Sequence, residues 1–212
     1  GTNGKTTTTY ITRSILQASG MRVGLLGTII ESDGVHDKDA TLTTPSSSEI
    51  HHQLALMVLN RCDACVMETS SHGLYQGRVN GLLFDVAMFT NLYPEHLDYH
   101  ENMENYFEAK RLLFTKYVKP NFTGAANFDH PYGKRLLAEF PDHLRGFGFS
   151  DGASSRVTSS QTSLNGSDLV IETEGFDALK LHTPLVGEFN IMNTLCAVTA
   201  MRGRVDDNAI IQ

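Results

Sequence analysis

Short apolar runs alternate with helical patterns up to about residue 144, and this alternation constrains the fold more than any other feature. Apolar runs at 22–29, 64–67 and 84–89 each break into polar residues, whereas helical patterns occupy 45–60 and 102–117. Continuous apolar runs are typical of strands buried on both faces, and strands separated by helices are typical of parallel sheets. The sequence therefore predicts an α/β fold with a mostly parallel, P-loop-type sheet flanked by helices.

Three local patterns refine this outline. Ser46 and Glu49 form a capping-box pattern, in which each side chain binds a free backbone N–H of the first helical turn, so a helix is expected to begin there. The polar, turn-rich stretch 32–40 predicts a hairpin or a loop. The segment 123–133 predicts a strand and a turn, followed by a helix at 134–140.

The pattern changes after residue 144. Segments up to about residue 187 are short or alternate between apolar and polar residues, and turn signals separate them. Alternation with period two is typical of antiparallel strands that have one solvated face. We therefore expect a small antiparallel β unit near residues 145–187 at the edge of the parallel sheet. A helical pattern returns at 189–204.

The chain opens with GTNGKTTTT, which contains part of a phosphate-binding loop. Such a loop needs glycines for close backbone approach, a lysine for charge, and a hydroxyl that reaches Mg²⁺; Gly1, Gly4, Lys5 and Thr6 supply these in order. The first glycine of the full motif and the strand that feeds it would lie before residue 1, and the chain lacks a starting Met, so we expect an excised segment. The alternative is a plain loop and helix cap.

Polar residues follow the predicted strands at the ends where ligands of open α/β sheets gather. Glu68 follows the apolar run at 64–67 and suits Mg²⁺, because hard cations prefer oxygen ligands; the alternative is a solvated carboxylate. His72, His96 and His100 lie close together in sequence, but no cysteine accompanies them and their spacing is irregular. A zinc site is therefore disfavoured.

Lys110 lies on an otherwise apolar helical stripe. Met103, Phe107, Lys110 and Phe114 share one face of the predicted helix. Burial lowers the pKa of an amine, and a neutral amine captures CO₂ to give a carbamate that can bind a metal ion. Spacing alone favours the other interpretation, in which the lysine stem lies on the apolar face and its ammonium reaches water.

Composition excludes several classes of protein. The net charge of −7 argues against a general nucleic-acid or anionic-membrane binder. No apolar run approaches the roughly 18 residues of a transmembrane helix, and no signal peptide is visible. Cys62, Cys65 and Cys196 form no framework, so we interpret them as reduced thiols and expect a cytoplasmic location.

Taken together, the motifs resemble those of the Mur ligase family of ATP-dependent amide-forming enzymes. The resemblance extends over 1–203, and the motifs that carry it are GTNGKTTTT, TTP, METSSHGLYQGRV, FTNLYPEHLDYH, YFEAKRLLF, NFDHPYG and GEFNIMN. TTP followed by SSHGL most resembles the branch that adds the third residue of the peptidoglycan stem peptide. Folylpolyglutamate synthase shares the ATPase design but has different substrate loops.

The resemblance implies a role for each matching residue. It implies that Lys5 binds the phosphates of ATP, that Thr6 and Glu68 hold a first Mg²⁺, and that His96 and a carbamylated Lys110 hold a second. With the resemblance included, the carbamate becomes the favoured interpretation of Lys110. In YPEHLD, Glu95 stands where the family usually has Asp. The implied ATP-binding residues are Thr2, Asn3, Gly4, Lys5, Thr6, Thr7, Thr8, Asn190 and Asn193, and the implied residues for UDP-N-acetylmuramoyl-dipeptide are Thr43, Thr44, Ser70, Gln76 and Arg78.

The implied reaction transfers the γ-phosphate of ATP to the dipeptide carboxylate, and an amino acid then attacks the acyl phosphate. In this resemblance 1–212 is the central ATPase domain, and separate domains hold the uridine and bring the incoming diaminopimelate or lysine. The alternatives are another Mur or folylpolyglutamate-type ligase, or a nucleotide-binding module that has no ligase activity as an isolated segment.

Overall fold

A computed structural model describes residues 1–211 and contains helices, parallel strands and antiparallel strands. The helices are α1 (Lys5–Ala18), α2 (Ser47–Leu59), α3 (Ser71–Tyr75), α4 (Leu97–His100), α5 (Met103–Thr115), α6 (Pro131–Glu139), α7 (Glu188–Met201) and α8 (Asp207–Ile211). The strands are β1 (Val23–Leu26), β2 (Ile30–Ser32), β3 (Asp37–Asp39), β4 (Ala64–Met67), β5 (Phe84–Phe89), β6 (Val118–Asn127), β7 (Leu144–Gly148), β8 (Ser155–Ser163), β9 (Gly166–Thr173) and β10 (Leu179–Thr183).

The smaller sheet has the strand order β3-β2-β1-β4. β1 and β4 are parallel, with Val23 opposite Ala64 and Leu26 opposite Met67. β2 and β3 form an antiparallel hairpin, as predicted for 32–40. The four residues of β1 are buried, which is why this strand reads as a continuous apolar run.

The larger sheet has the strand order β10-β9-β8-β7-β6-β5. β5 to β8 are parallel, and β8 to β10 are antiparallel. The predicted antiparallel unit is thus confirmed in β8–β10. β7, at the start of the predicted range, pairs in parallel with β6 instead, because the chain returns to the sheet through α6.

Helix boundaries follow the local signals closely. α2 has both halves of the predicted capping box: the Ser46 side chain accepts from the Glu49 N–H, and the Glu49 carboxylate accepts from the Ser46 N–H. α6 begins three residues before the predicted 134–140, because Pro131 occupies its first turn, where a missing N–H costs nothing. α7 ends at Met201, and Gly203 beyond it takes a φ of 78°.

Two apolar clusters hold the helices on the sheets. One is built around Phe89, Phe107 and Phe114 and lies between α5, β5 and β6. The other surrounds α7, whose residues from Asn193 to Met201 are all buried, and it packs this helix against α1 and the larger sheet. α7 is therefore a central helix with apolar residues on all sides. Among the described residues, no helix is both long and apolar enough to cross a membrane.

A groove of about 530 Å³ separates the two sheets. Its walls are β4 and β5, each of which is the edge strand of its own sheet. Thr8 and Thr12 of α1 also line it. Both strands run toward the same end of the groove, where Glu68 follows β4 and Thr90 follows β5. The polar strand ends predicted from sequence therefore meet at one edge.

The capping box gives a test of this local analysis. We expect Ser46→Ala to lower the free energy of unfolding by about 1 kcal/mol, because one N–H of α2 loses its acceptor. Ser47→Ala, at the first position of the same helix, is the control and should change it by less than about 0.5 kcal/mol. Denaturant unfolding monitored by circular dichroism measures both, and equal losses in the two variants would contradict the assignment.

Candidate active site

The opening loop is held against the end of β5 by its backbone. The Thr2 N–H donates to the Asn91 carbonyl at 2.9 Å, and the Asn3 N–H donates to Asn91 Oδ1 at 2.8 Å. The Thr90 hydroxyl donates to the Asn3 carbonyl at 2.6 Å. The loop then enters α1 through Gly4, which has a φ of 81° and provides no side-chain cap. The first N–H groups of α1 are left available to an anion, as in phosphate-binding loops.

Gly4 also lets α7 approach the loop. A Cβ at this position would lie 2.0 Å from Asn193 Oδ1, so no other residue fits there without displacing Asn193. Asn193 is thereby brought to the loop, as its assignment to the ATP site requires. Asn190, one turn earlier on α7, donates from Nδ2 to the Val186 carbonyl at 2.9 Å.

Lys5 folds back over the loop, and its Nζ donates to the Thr2 carbonyl at 2.7 Å. Burial lowers the pKa of its amine, and the nearby carboxylates of Glu68 and Glu95 partly oppose this effect. No carboxylate forms an ion pair with Lys5 among the described residues. An anion bound at the loop would therefore gain a partly desolvated positive charge.

The Glu68 carboxylate is the centre of a hydrogen-bond network at the end of β4. It is only 2% exposed and accepts from the hydroxyls of Thr6 and Thr28, both at 3.0 Å, and from the Thr28 N–H at 2.9 Å. Gly27 allows this approach, since a Cβ there would lie 2.8 Å from Glu68 Oε1. The alternative of a solvated carboxylate is wrong.

Lys110 is 5% exposed and does not reach water. Its Nζ donates to the Gly1 carbonyl at 3.0 Å and lies 4.6 Å from the ring centre of Tyr106. Burial is the main cause that lowers the pKa of this amine to about 7, and repulsion from Lys5 adds to it. The snorkelling interpretation is therefore wrong, and a substantial fraction of Lys110 is neutral near pH 7.

His96 packs against the same aromatic ring. Its ring centre is 6.2 Å from that of Tyr106 and 4.9 Å from that of His72, and its Nε2 lies 3.9 Å from a Glu95 oxygen. The residue has a φ of 57°, a left-handed conformation at the start of α4.

The five predicted substrate residues form one connected network. Thr44 Oγ1 accepts from the Ser70 N–H at 2.9 Å and donates to the Glu68 carbonyl at 3.0 Å. The Arg78 guanidinium donates to the Thr44 carbonyl at 2.7 Å. The remaining bonds join Ser70 Oγ to the Gly73 N–H, Arg78 to Gln76 Oε1, Gln76 Nε2 to the Tyr99 hydroxyl, and Thr43 to Thr28.

These positions can be tested for their fit to magnesium. Thr6 and Glu68 are in contact and offer hydroxyl and carboxylate oxygens, which suits one Mg²⁺. His96 and Lys110 flank one ring, but an ammonium repels a cation, so this pair fits a metal ion only when Lys110 carries a carbamate. Among residues 1–211, no group of three or more His, Cys, Asp or Glu side chains is arranged to hold a metal.

Sequence reasoning missed several residues that build the site. Thr28 binds Glu68, and Thr90 and Asn91 hold the loop. For Thr90 and Asn91 a signal existed, because they follow the apolar run at 84–89. Tyr106 gave no signal, since an aromatic residue on a helix is normally part of the core.

Comparison with known proteins identifies the family. The Mur ligase middle domain model matches residues 1–201. The chain belongs to the Mur ligase family. A relative from Synechococcus elongatus, named UDP-N-acetylmuramoyl-L-alanyl-D-glutamate--2,6-diaminopimelate ligase, is 42% identical over 203 residues, which is 94% of this chain and 40% of the relative. A Clostridium tetani protein of the same name is 38% identical over 201 residues, with the same coverage. This Mur ligase chain thus spans about 40% of the length of the curated relatives it matches.

Solved structures support the same fold. A structure of a UDP-N-acetylmuramoyl-L-alanyl-D-glutamate--2,6-diaminopimelate ligase is 25% identical, has a TM-score of 0.81, and covers 100% of this chain and 44% of its own. The MurF ligase of Thermotoga maritima, solved in complex with ADP, has a TM-score of 0.70 at 20% identity, covering 100% of this chain and 46% of its own. The latter likeness concerns the fold alone.

The pKa of Lys110 predicts how this Mur ligase chain reacts with CO₂. Lys110 loses its proton as the pH rises through about 7, and only the neutral amine forms a carbamate. Its neutral fraction rises about tenfold between about pH 6 and pH 8. At constant dissolved ¹³CO₂ we therefore expect at least a tenfold increase of a carbamate signal in ¹³C NMR. Lys110→Met identifies the signal, and an equal signal in that variant would contradict the assignment.

Proposed function

We propose that this chain supplies the ATP-binding centre of a ligase that adds the third stem-peptide residue, diaminopimelate or lysine, to UDP-N-acetylmuramoyl-L-alanyl-D-glutamate. The observation that carries this proposal is Glu68, which joins the phosphate loop through Thr6 and the candidate substrate network through Thr44. ATP and the substrate carboxylate would thus meet at one strand end. The names of the relatives support the substrate.

The chain's residues would lower the barrier mainly by neutralising charge. Transfer of the γ-phosphate to a carboxylate brings two anions together. Lys5 and the free N–H groups at the start of α1 would bind the phosphates. Thr6 and Glu68 would hold a first Mg²⁺, and His96 with carbamylated Lys110 would hold a second. When bound, the two ions would neutralise the remaining phosphate charge. The amine of the incoming amino acid then attacks the acyl phosphate, and phosphate leaves.

Arg78 is the candidate group for the substrate carboxylate, but its guanidinium is already engaged. Nε and Nη2 donate to Gln76 Oε1, and Nη1 donates to the Thr44 carbonyl. Arg78 has five N–H groups, so two remain for a ligand. A bidentate grip through Nε would require the Gln76 amide to turn away.

We also propose that the chain acts as the nucleotide-binding part of a cytoplasmic ligase whose other domains hold the uridine and the amino acid. The coverage of about 40% of the relatives supports this organisation. The groove between β4 and β5 supports it too, because both walls are unpaired strand edges and a further parallel strand would satisfy their backbone groups. The choice of amino acid would lie outside residues 1–212.

Phosphate release by the full-length protein tests the proposal. We expect release to require ATP, UDP-N-acetylmuramoyl-L-alanyl-D-glutamate and one of the two amino acids. Lys110→Ala should reduce it by at least about 100-fold, and short carboxylates should restore part of it. Lys134→Ala is the matched control, because Lys134 also lies over an aromatic ring, 4.8 Å from that of Phe128, but is exposed.

The outcomes separate the candidate functions. ATP hydrolysis at the same rate with and without the UDP-linked dipeptide and the amino acid would favour a nucleotide-binding module without ligase activity. Release that requires a folate substrate would favour a folylpolyglutamate-type ligase. Unchanged activity of Lys110→Ala, without any effect of added carboxylates, would reject the carbamate.

A second prediction concerns the first magnesium site. We expect Glu68→Gln to raise the Mg²⁺ concentration required for ATP binding by at least about tenfold, because a neutral amide replaces the carboxylate. Glu31→Gln is the control: Glu31 is also buried, but it pairs with Lys38 at 2.9 Å, away from the loop. Fluorescent-nucleotide titrations at several Mg²⁺ concentrations measure both, and equal requirements would contradict the site.

A further inference from the structure

Four side chains form a continuous row from the opening loop to α3. Thr2 Oγ1 lies 3.3 Å from the Tyr106 hydroxyl. The Tyr106 ring is stacked on the His100 ring, with centres 4.9 Å apart and planes 23° apart. His100 Nε2 lies 2.9 Å from the Ser71 hydroxyl. The row therefore connects the ATP loop with the helix that begins beside Ser70.

The row links the loop held by the larger sheet to a helix that follows the smaller sheet, two parts that the Thr6–Glu68 hydrogen bond also connects. Thr2 belongs to the loop held by the end of β5, in the larger sheet, whereas Ser71 follows β4, in the smaller sheet. Tyr106 lies on α5, and His100 ends α4. The two middle residues thus bridge the carboxyl ends of both sheets, across the end of the groove that divides them.

All four side chains are buried, and the Tyr106 side chain is 1% exposed. Buried polar contacts are strong because water does not compete for them, and displacing one partner leaves the others unsatisfied. Thr2 Oγ1 is fixed further, because it accepts from the Tyr93 N–H at 3.0 Å. A shift of the loop would therefore displace the Tyr106 side chain, because solvent does not reach this buried contact to replace it.

Tyr106 also contacts the groups around the candidate second metal site. Lys110 Nζ lies 4.6 Å from its ring centre, and the His96 ring meets it edge-on at 6.2 Å. One buried ring therefore orients the loop through its hydroxyl, His100 through its face, and Lys110 through its π system. The reaction proposed above gives no role to His100 or Tyr106, although both lie between the candidate ATP loop and the candidate substrate network.

We propose that Tyr106 and His100 are positioning residues that couple the binding of the nucleotide to the binding of the carboxylate substrate. This inference rests on the proposed function, since it takes the loop and the α3 network as the two ligand sites. The ligand that binds first orders its own side of the row and, through the row, the other side. The second ligand then binds to a site whose ordering cost is already met.

Ligand-binding measurements on the full-length protein test the coupling. The probes are the Mg²⁺ complex of a non-hydrolysable β,γ-methylene ATP analogue and UDP-N-acetylmuramoyl-L-alanyl-D-glutamate, and calorimetry gives the Kd of the analogue with and without the second ligand. The ratio of these two values is the coupling factor, typically about 5 to 150 in coupled systems. We expect a factor of at least about 5 in the unmodified protein.

Two nearly isosteric variants break the row at different points. Tyr106→Phe removes the hydroxyl that meets Thr2, and Ser71→Ala removes the hydroxyl that meets His100. We expect each to reduce the coupling factor to below about 2, and we expect Ser71→Ala, which lies outside the loop, to change the Kd of the analogue alone by less than about 3-fold. Because neither changes the packed volume appreciably, both should fold.

Tyr117→Phe is the matched control. Tyr117 is also a buried tyrosine near α5, 2% exposed, and its hydroxyl donates to Asn80 Oδ1 at 2.8 Å. Tyr117 is not part of the row, so loss of its hydroxyl should lower the free energy of unfolding without changing the coupling factor. A purely structural role of Tyr106 predicts the same result for Tyr106→Phe.

Each outcome decides one question. A coupling factor near 1 in the unmodified protein, or a factor unchanged in Tyr106→Phe and Ser71→Ala, overturns the inference. A factor lost equally in Tyr117→Phe also overturns it, because the effect would then be general. Failure of either ligand to bind both alone and in the presence of the other would instead contradict the proposed function, so the two failures are distinguishable.

Discussion

The hydrogen bond from Thr6 to the Glu68 carboxylate joins the two halves of this molecule at the point where chemistry is expected. Glu68 follows β4 of the smaller sheet, whereas Thr6 follows the loop that residues at the end of β5, in the larger sheet, hold in place. Because the carboxylate is buried and paired with hydroxyls and an N–H rather than with a cation, its negative charge remains available. A metal ion at this position would find an oxygen-rich site that the fold already holds in place.

The same edge carries two lysines whose charges are poorly compensated. Lys5 and Lys110 both have a lowered pKa, burial is the main cause for each, and they repel one another. The unfolded chain keeps the proton of Lys110 up to the ordinary lysine value of 10.5, whereas the folded chain releases it near 7. Burying this amine therefore costs less stability as the pH rises above 7. Anionic ligands at the loop, and CO₂ at Lys110, would relieve the same cost.

Much of this arrangement could be predicted from short patterns. The loop at Gly4–Thr6, the capping box at Ser46 and the polar ends of β4 and β5 depend on neighbouring residues, so their signals survive in a single sequence. The orientation of Lys110 required more, because an apolar stripe with one lysine fits both a buried and a snorkelling side chain. Its burial depends on what packs above α5, and the sequence of α5 does not contain that information.

The sequence by itself determined the alternation of the main strands with the longer helices, the phosphate-loop pattern and the presence of a carboxylate at a strand end, since each follows from local periodicity or from residues adjacent in the chain. Only the tertiary structure decided that β7 is parallel to β6, that Gln76 occupies the fork of Arg78, and that Tyr106 connects Thr2 with His100. These contacts join residues brought together by sheet order and helix packing. The physical reason is that local periodicity determines which face of an element is buried, whereas the residues that contact this face depend on how all the elements pack together.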